Sequence, residues 1–149
     1  MRNRVAVLHG VNLDALDRRP AQHYGGLTFT RLEQVIEAFA RELGLEPHFF
    51  QSNHEGAFVE ELHRASDYAD GLVLNPGAWT HYAWSLRDAV ELAGLPAVEV
   101  HLSDVENRDD WRKVSVFDGL VLAKISGQGP AGYQEALEII ARELGTTGG

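Results

Sequence analysis

The chain contains no cysteine, which excludes disulfide bridges, thiolate metal ligands and catalysis by a thiol. It is also poor in lysine, because Lys113 and Lys124 are the only lysines among 13 basic residues. The other basic residues are arginines, whose guanidinium groups bind carboxylates through two parallel hydrogen bonds. No apolar run reaches the ~20 residues of a membrane-spanning helix, and we expect no signal peptide from the opening residues.

The net charge of the chain is −9. A charge of this sign repels nucleic acid phosphates and anionic membrane surfaces, so we expect neither as a partner. The length of 149 residues and the hydrophobic share of 44% fit a single domain spanning residues 1–149 with a core of its own. We therefore expect a cytoplasmic enzyme or binding domain.

Strand-like and helix-like segments alternate along the chain. The predicted strands cover residues 4–9, 45–50, 71–74, 95–100 and 119–123, and amphipathic helical patterns separate most of them. Such alternation predicts a parallel sheet covered by helices on both faces. Five units predict an α/β flavodoxin-like three-layer sandwich with strand order 2-1-3-4-5. Ligands bind at the carboxyl ends of the strands in this architecture, so polar residues that follow the strands are candidates for one site.

The segment 99–103 carries the strongest chemical signal. Glu99 and His101 alternate along a predicted strand, so their side chains face the same way. A carboxylate beside an imidazole fixes its tautomer and favours its protonated form, which makes the histidine a proton donor near neutral pH. Leu102 and Ser103 follow with backbone N–H groups that suit an anion. The segment alone is equally well explained by a partly buried histidine whose hydrogen bond goes to a neighbouring carboxylate and which has no catalytic role.

The connection between the first strand and the first long helix is unusually long. It covers residues 10–27, whereas such loops usually run about 2–6 residues. It contains Asn12, Arg19 and Tyr24. A guanidinium close to a phenol stabilises the phenolate, so Arg19 and Tyr24 could form a base without a metal or a histidine. The alternative is a solvent-facing loop with solvated arginines.

A third group of polar residues follows the third predicted strand. Asn75 stands at the strand end, where its amide can both donate and accept hydrogen bonds. Thr80 is predicted to cap the next helix, and His81 to project near the start of that helix. A strand–turn–helix junction with a capping threonine explains the same residues without a ligand.

Six motifs, in order along nearly the whole chain, resemble the type II 3-dehydroquinate dehydratases. The motifs are Gly10-x-Asn12-Leu13, Arg18-Arg19 with Tyr24-Gly25, Gln51-Ser52-Asn53-His54-Glu55-Gly56, Asn75-Pro76-Gly77-Ala78-x-Thr80-His81, Leu86-Arg87-Asp88-Ala89 and Glu99-Val100-His101-Leu102-Ser103. Each motif alone is weak, but the ordered set at the family's spacing is highly specific.

The resemblance implies a reaction and the residues that carry it. The reaction is the reversible loss of water from 3-dehydroquinate to give 3-dehydroshikimate, by anti elimination through an enolate, with no metal and no cofactor. Tyr24 would remove the C2 proton as a tyrosinate that Arg19 holds ionised. His101, oriented by Glu99, would protonate the departing C1 hydroxyl. Asn12 would hold a water that stabilises the enolate oxygen.

The resemblance also implies how the substrate is bound. Asn75 and His81 would bind its hydroxyl groups. The backbone amides of Leu102 and Ser103 would hold its carboxylate. Arg112 would bind the ring hydroxyls from the far side.

The resemblance further implies a homo-oligomer. The family is typically a dodecamer, a tetramer of trimers, in which Asp88 would reach the site of a neighbouring subunit. The many acidic residues of the chain do not themselves reveal this assembly.

Several positions depart from the family's pattern. The first strand ends in His9-Gly10-Val11-Asn12, where the family usually has Asn-Gly-Pro-Asn, so the proline that would fix the backbone is lost. Pro20 stands one residue earlier than the family's loop proline. Asp104 replaces an asparagine beside the predicted carboxylate site, which weakens anion binding unless the side chain points away or pairs with an arginine. Val114 replaces a histidine.

Three other interpretations are open. A non-catalytic or substrate-altered paralogue would bind a small cyclic carboxylate with the same arginines and amides. A metal-dependent hydrolase would use His9, His54, His81 and His101, although the sequence has no closely spaced ligand pair. A phosphate site at the glycine-rich residues 127–130 lacks the phosphate-loop patterns, and a tight strand-to-helix turn explains them better.

Overall fold

The molecule is built on one five-stranded parallel sheet. The structure, a computed structural model, describes residues 2–24 and 26–146, and of Tyr24 only the backbone. The strands are β1 (Arg4–His9), β2 (Glu46–Gln51), β3 (Gly71–Asn75), β4 (Ala97–His101) and β5 (Ala123–Ser126). They are all parallel, in the order β2-β1-β3-β4-β5, which confirms the predicted flavodoxin-like sandwich.

Helices cover both faces of the sheet. They are α1 (Ala21–Tyr24), α2 (Phe29–Glu42), α3 (Glu55–Tyr68), α4 (Trp84–Ala93) and α5 (Ala131–Leu144). Alternate residues of β1 enter different cores: Val5 and Val7 pack with α2 and α5, and Leu8 packs with α3 and α4. The strand is therefore apolar on both faces, as expected for a central parallel strand. No helix among the described residues is long and apolar enough to cross a membrane.

The predicted fifth strand is wrong in position. Residues 119–123 were expected to form it, but the strand runs from Ala123 to Ser126 and pairs with β4. Leu120 and Val121 belong to a turn and pack against the core on the α3–α4 side. The charged Lys124 interrupts the apolar pattern, so the sequence does not indicate a strand there. In the structure its ammonium group reaches Glu106 and Asp118 at the sheet edge. An apolar run thus marked core packing and not a strand.

The long connection after β1 has a structure of its own. A 3₁₀ helix covers Leu13–Arg18, and α1 follows it. Leu13 and Leu16 are buried in the core formed with α2. The segment is therefore packed against the domain, and it covers the carboxyl edge of the sheet as more than a solvated loop.

The ends of β1 and β3 lie very close together. A Cβ atom at Gly10 would stand 2.3 Å from the carbonyl oxygen of Pro76. A Cβ atom at Gly77, which has φ +67°, would stand 2.5 Å from the carbonyl oxygen of Val11. Only glycine fits at both positions. This contact brings the residues after β1 and β3 to the same site.

Candidate active site

A cavity of about 240 Å³ opens at the carboxyl edge of the sheet. Its lining comes from the segment after β1, the 3₁₀ helix Gly77–His81, the end of β4 and the 3₁₀ helix Asp110–Lys113. Eight predicted site residues line it, namely Asn12, Arg19, Asn75, His81, His101, Leu102, Ser103 and Arg112. Residues from distant parts of the sequence therefore meet here, as the fold predicts.

Two predicted site residues, Glu99 and Asp88, are not in the cavity wall. Glu99 is fully buried behind His101. Asp88 is exposed on α4 and does not line the cavity. The side chain of Tyr24, the predicted base, lies outside the described part of the structure.

His101 is fixed by Glu99, as the strand alternation predicts. The Nε2 atom of His101 lies 2.5 Å from Oε2 of Glu99. Because a carboxylate can only accept, Nε2–H donates and the other ring nitrogen, Nδ1, is left for other partners. His101 is buried but contributes to the cavity wall. The pair therefore presents one imidazole with a defined tautomer to the cavity.

Two further hydroxyl groups hold Glu99. Thr80 Oγ1 donates to Oε2 at 2.5 Å, and Ser115 Oγ donates to Oε1 at 2.7 Å. Burial raises the pKa of the Glu99 carboxyl, but the bonds from His101, Thr80 and Ser115 outweigh it and hold the pKa below its usual value. The carboxylate is thus ionised and fully hydrogen-bonded inside the protein.

Sequence reasoning missed both hydroxyl partners. The sequence predicts that Thr80 caps the next helix, which is wrong, because Thr80 lies in the 3₁₀ helix Gly77–His81 and α4 begins after Ala83 without a side-chain cap. Ser115 directly follows Val114 and carries no signal of its own in the sequence. Thr80 and Ser115 are both distant from Glu99 along the sequence. Their positions in the sequence therefore do not indicate contacts with Glu99 that only the folded chain makes.

His81 completes one wall of the cavity. Its Nδ1–H donates to the carbonyl oxygen of Val114 at 2.6 Å, and its ring stacks on His101 with centroids 6.1 Å apart. The edge-on ring of Trp111 lies 5.2 Å away, and the guanidinium of Arg112 lies over Trp111 at 4.1 Å. Burial lowers the pKa of His81 below its usual value. A neutral His81 in this tautomer offers Nε2 as a hydrogen-bond acceptor.

Asn12 has an unusual backbone conformation, with φ 70°. Its N–H donates to Oδ1 of Asn53 at 2.8 Å. The Asn53 amide in turn donates to Asp14, and Gln51 donates to both Asn53 and the Gly10 carbonyl. The residues after β2 therefore hold the backbone of Asn12 in place.

The histidines proposed for a metal site do not converge. His9 is completely buried and bonded to Tyr133, and His54 is exposed at the start of α3. Within residues 2–24 and 26–146, no three acidic or histidine side chains form a group that could hold a metal ion. The glycine-rich turn at residues 127–130 does not offer the Gly127 and Gly129 amides to a phosphate, because they donate to the carbonyl oxygens of Ser103 and Leu102.

A family model, class II dehydroquinase, matches residues 3–141 of the chain. The chain belongs to this family. It is 46% identical over 143 residues to a 3-dehydroquinate dehydratase of Pelotomaculum thermopropionicum, covering 96% of this chain and 99% of that protein. Among solved structures, the type II dehydroquinase of Propionibacterium acnes has a TM-score of 0.88 at 36% identity, over 95% and 98% of the two chains. That of Butyrivibrio crossotus also has a TM-score of 0.88, at 34% identity, over 93% and 97%.

Three of the positions that depart from the family's pattern have a structural context in this protein. Asp104 is exposed and accepts a hydrogen bond from Asn107, and it lines a neighbouring cavity together with Leu102 and Ser103 and not the main one. Pro20 stands directly before α1, where the fixed φ of proline suits a helix start. Val114 contributes its carbonyl group to His81, a contact that does not depend on the side chain.

Proposed function

We propose that this chain catalyses the reversible dehydration of 3-dehydroquinate to 3-dehydroshikimate by anti elimination through an enolate. One observation carries the proposal: the His101–Glu99 pair opens onto a small cavity that is also lined by Arg19 and Arg112. A proton donor and guanidinium groups around one cavity suit a small acid that must lose hydroxide. Membership of the class II dehydroquinase family supports the same reaction.

His101 acts as the general acid. Its Nε2–H is held by Glu99, so Nδ1 carries the proton that reaches the departing C1 hydroxyl. Hydroxide is a poor leaving group, and protonation converts it to water as the C–O bond breaks. The ionised Glu99 stabilises the imidazolium before the transfer.

Tyr24 acts as the base. As a phenolate it takes the C2 proton, and the C–H electrons form an enolate with the neighbouring ketone. Arg19 lines the cavity and stabilises the phenolate through its charge. Tyr24 ends α1, whose residues Ala21 to His23 line a second cavity together with Leu102 and Ser103, so α1 lies beside the end of β4. Asn12 holds the water that stabilises the enolate oxygen.

The remaining lining residues bind the substrate. Asn75 and the Nε2 atom of His81 bind hydroxyl groups, and Arg112 binds the ring hydroxyls from the opposite wall. The Leu102 and Ser103 amides hold the carboxylate. Pockets for drug-sized ligands have volumes of about 300–1,000 Å³, and the cavity of about 240 Å³ suits a smaller molecule with a single ring.

The chain is further proposed to form a homo-oligomer, a dodecamer built as a tetramer of trimers, in which Asp88 reaches a neighbouring site. Asp88 lies between Trp84 and Leu92 on one face of α4, and these apolar side chains are 62% and 76% exposed. Residues four apart share a helix face, so an acidic group sits in an apolar stripe that suits a subunit contact. Light scattering measures the assembly directly. A cytoplasmic location stays a prediction of the sequence.

The deciding experiment is turnover of 3-dehydroquinate by the purified protein, followed by the ultraviolet absorbance of the conjugated enone product. Tyr24→Phe removes the phenol oxygen, and we expect turnover to fall by at least ~10²-fold, the lower end for general-base catalysis. Tyr82→Phe is the matched control, because Tyr82 is an exposed tyrosine. Activity is expected to persist in EDTA.

Two results would contradict the proposal. A folded wild-type oligomer without turnover would favour the non-catalytic or substrate-altered paralogue. Wild-type rates in Tyr24→Phe would remove the phenol as the base.

A further inference from the structure

A buried chain of hydrogen bonds runs from the cavity wall into the core. The Asn75 Nδ2 atom lies 2.9 Å from the Tyr133 hydroxyl oxygen, and that oxygen lies 2.9 Å from Nε2 of His9. Asn75 is 4% exposed, while Tyr133 and His9 are completely buried. Only Asn75 of the three lines the cavity. These hydrogen bonds join β3, α5 and β1, which lie far apart in the sequence.

The direction of the hydrogen bonds follows from the donors available. The Tyr133 hydroxyl has one proton, and the Asn75 amide nitrogen can only donate. Tyr133 therefore accepts from Asn75 and donates to His9, so Nε2 of His9 is the unprotonated nitrogen. Burial lowers the pKa of His9 to about 3, so the ring is neutral at the pH where enzymes of this kind work. Its Nδ1–H has no hydrogen-bond partner within the described part of the chain.

The Gly77 N–H decides which way the Asn75 amide faces, and Tyr133 with His9 accommodates that orientation. In the observed orientation Nδ2 faces Tyr133, and Oδ1 accepts from the Gly77 N–H at 3.3 Å. Rotating the amide by half a turn would place Oδ1 against the phenol, which would have to donate to it. His9 would then have to change tautomer, so that Nε2–H donates to the phenol oxygen. The flipped amide would also place NH₂ against the Gly77 N–H, so that two donors face each other and a hydrogen bond is left unmade, which is costly.

We propose that Tyr133 and His9 are positioning residues that hold the Asn75 amide in one orientation, so that its free N–H and its oxygen face the substrate in a fixed arrangement. The proposal rests on the proposed function, in which Asn75 binds a substrate hydroxyl. Neither Tyr133 nor His9 touches the cavity, so both act through Asn75. His9 stands where the family usually has asparagine, which also offers an acceptor oxygen.

The proposal is tested by a double-mutant cycle of Tyr133→Phe and Asn75→Ala. The first variant keeps the aromatic ring, and so conserves volume, but removes the hydroxyl. We expect it to raise KM for 3-dehydroquinate by about threefold to tenfold, the loss of one hydrogen bond, with kcat changed less. In the Asn75→Ala background the same substitution should change KM no further. Tyr68→Phe is the matched control, since the Tyr68 hydroxyl bonds Glu61 on α3 away from the cavity.

A second pair of variants tests His9. His9→Asn keeps an acceptor and should leave KM within about threefold of the wild type, whereas His9→Phe removes the acceptor and should resemble Tyr133→Phe. The dissociation constant for quinate, which lacks the ketone, measures binding separately from the chemical step. It should follow KM through the whole set.

The outcomes separate the two proposals. If the wild type neither converts 3-dehydroquinate nor binds quinate, the proposed function fails and this inference fails with it. If the wild type is active but the Tyr133→Phe and Asn75→Ala effects simply add, Tyr133 has only a structural role and this inference alone is overturned. The same holds if Asn75→Ala leaves both constants unchanged.

Discussion

Two buried histidines end two strands of the same sheet, yet their surroundings make them different groups. His9 ends β1 and His101 ends β4, with β3 between them. Each uses Nε2 for one hydrogen bond inside the protein, at 2.9 Å for His9 and 2.5 Å for His101. The partner of His9 is a phenol, and the partner of His101 is a carboxylate. A position at the strand end therefore does not determine the role of a histidine; the charge of its partner does.

The neighbouring residues reinforce this difference. His9 lies between Phe29 on α2 and Tyr133 on α5, and burial lowers its pKa. His101 opens onto the cavity and stacks on His81. The first is a fixed hydrogen-bond acceptor in the core. The second can exchange a proton with a ligand.

The largest expected effect comes from making the same substitution at both histidines. His101→Asn should lower kcat by about 10²–10⁴-fold, because the general acid is lost, whereas His9→Asn should cost about threefold or less, because the acceptor is kept. Steady-state kinetics with 3-dehydroquinate measure both. His63→Asn on the exposed face of α3 is the control. Equal losses at the two positions would erase the distinction.

The next largest effect is expected at the hydroxyl groups that hold the Glu99 carboxylate. Thr80→Val removes the hydroxyl that donates to Glu99 and should cost about 1.5–3 kcal/mol of the free energy of unfolding, as for a buried hydrogen bond to a charged group. The loss of kcat should be smaller than in His101→Asn. Thr80→Ser keeps the hydroxyl and should restore most of both quantities. Urea unfolding at fixed protein concentration gives the stability. A Val variant as stable as the wild type would show that Glu99 does not need this donor.

The pH dependence of stability tests the other histidine. The folded-state pKa of His9 is about 3, below the ~6.5 of an unfolded histidine, so the unfolded state binds the extra proton. Its contribution is therefore present above about pH 6.5 and is lost as the pH falls towards 3. The stability difference between wild type and His9→Asn should change by up to about 1.4 kcal/mol per pH unit below 6.5. Urea unfolding between pH 4.5 and 7.5 measures the slope, and a difference independent of pH would mean that His9 binds its proton equally well in the folded and unfolded protein.

The smallest effect is expected beside His101. Asp104 follows the strand end but is exposed and bonded to Asn107. Asp104→Asn should leave KM within about twofold, as for a surface substitution. A clearly lower KM would mean that the carboxylate faces the substrate after all.

Much of the fold could be predicted because its signals are local. The alternation of strands and helices gave the sheet order, and the two-residue period of β4 placed Glu99 beside His101, which the structure confirms. The partners of these residues could not be found in this way. Tyr133 lies 124 residues from His9, and Ser115 lies 16 residues from Glu99 across a segment without a regular period. The fifth strand was misplaced for a related reason, since core packing of a turn imitated a strand.

The half-exposed ring of Trp111 gives this protein an optical reporter of its own. The indole touches His81 with its edge and carries the guanidinium of Arg112 on its face. A ligand that binds His81 or Arg112 changes the polarity around the Trp111 ring. The fluorescence of Trp111 should therefore report how much of the cavity is occupied by ligand, without any added dye. The other two tryptophans lie elsewhere, since Trp79 packs against Phe58 in the core and Trp84 is exposed on α4, and replacing them would isolate the signal.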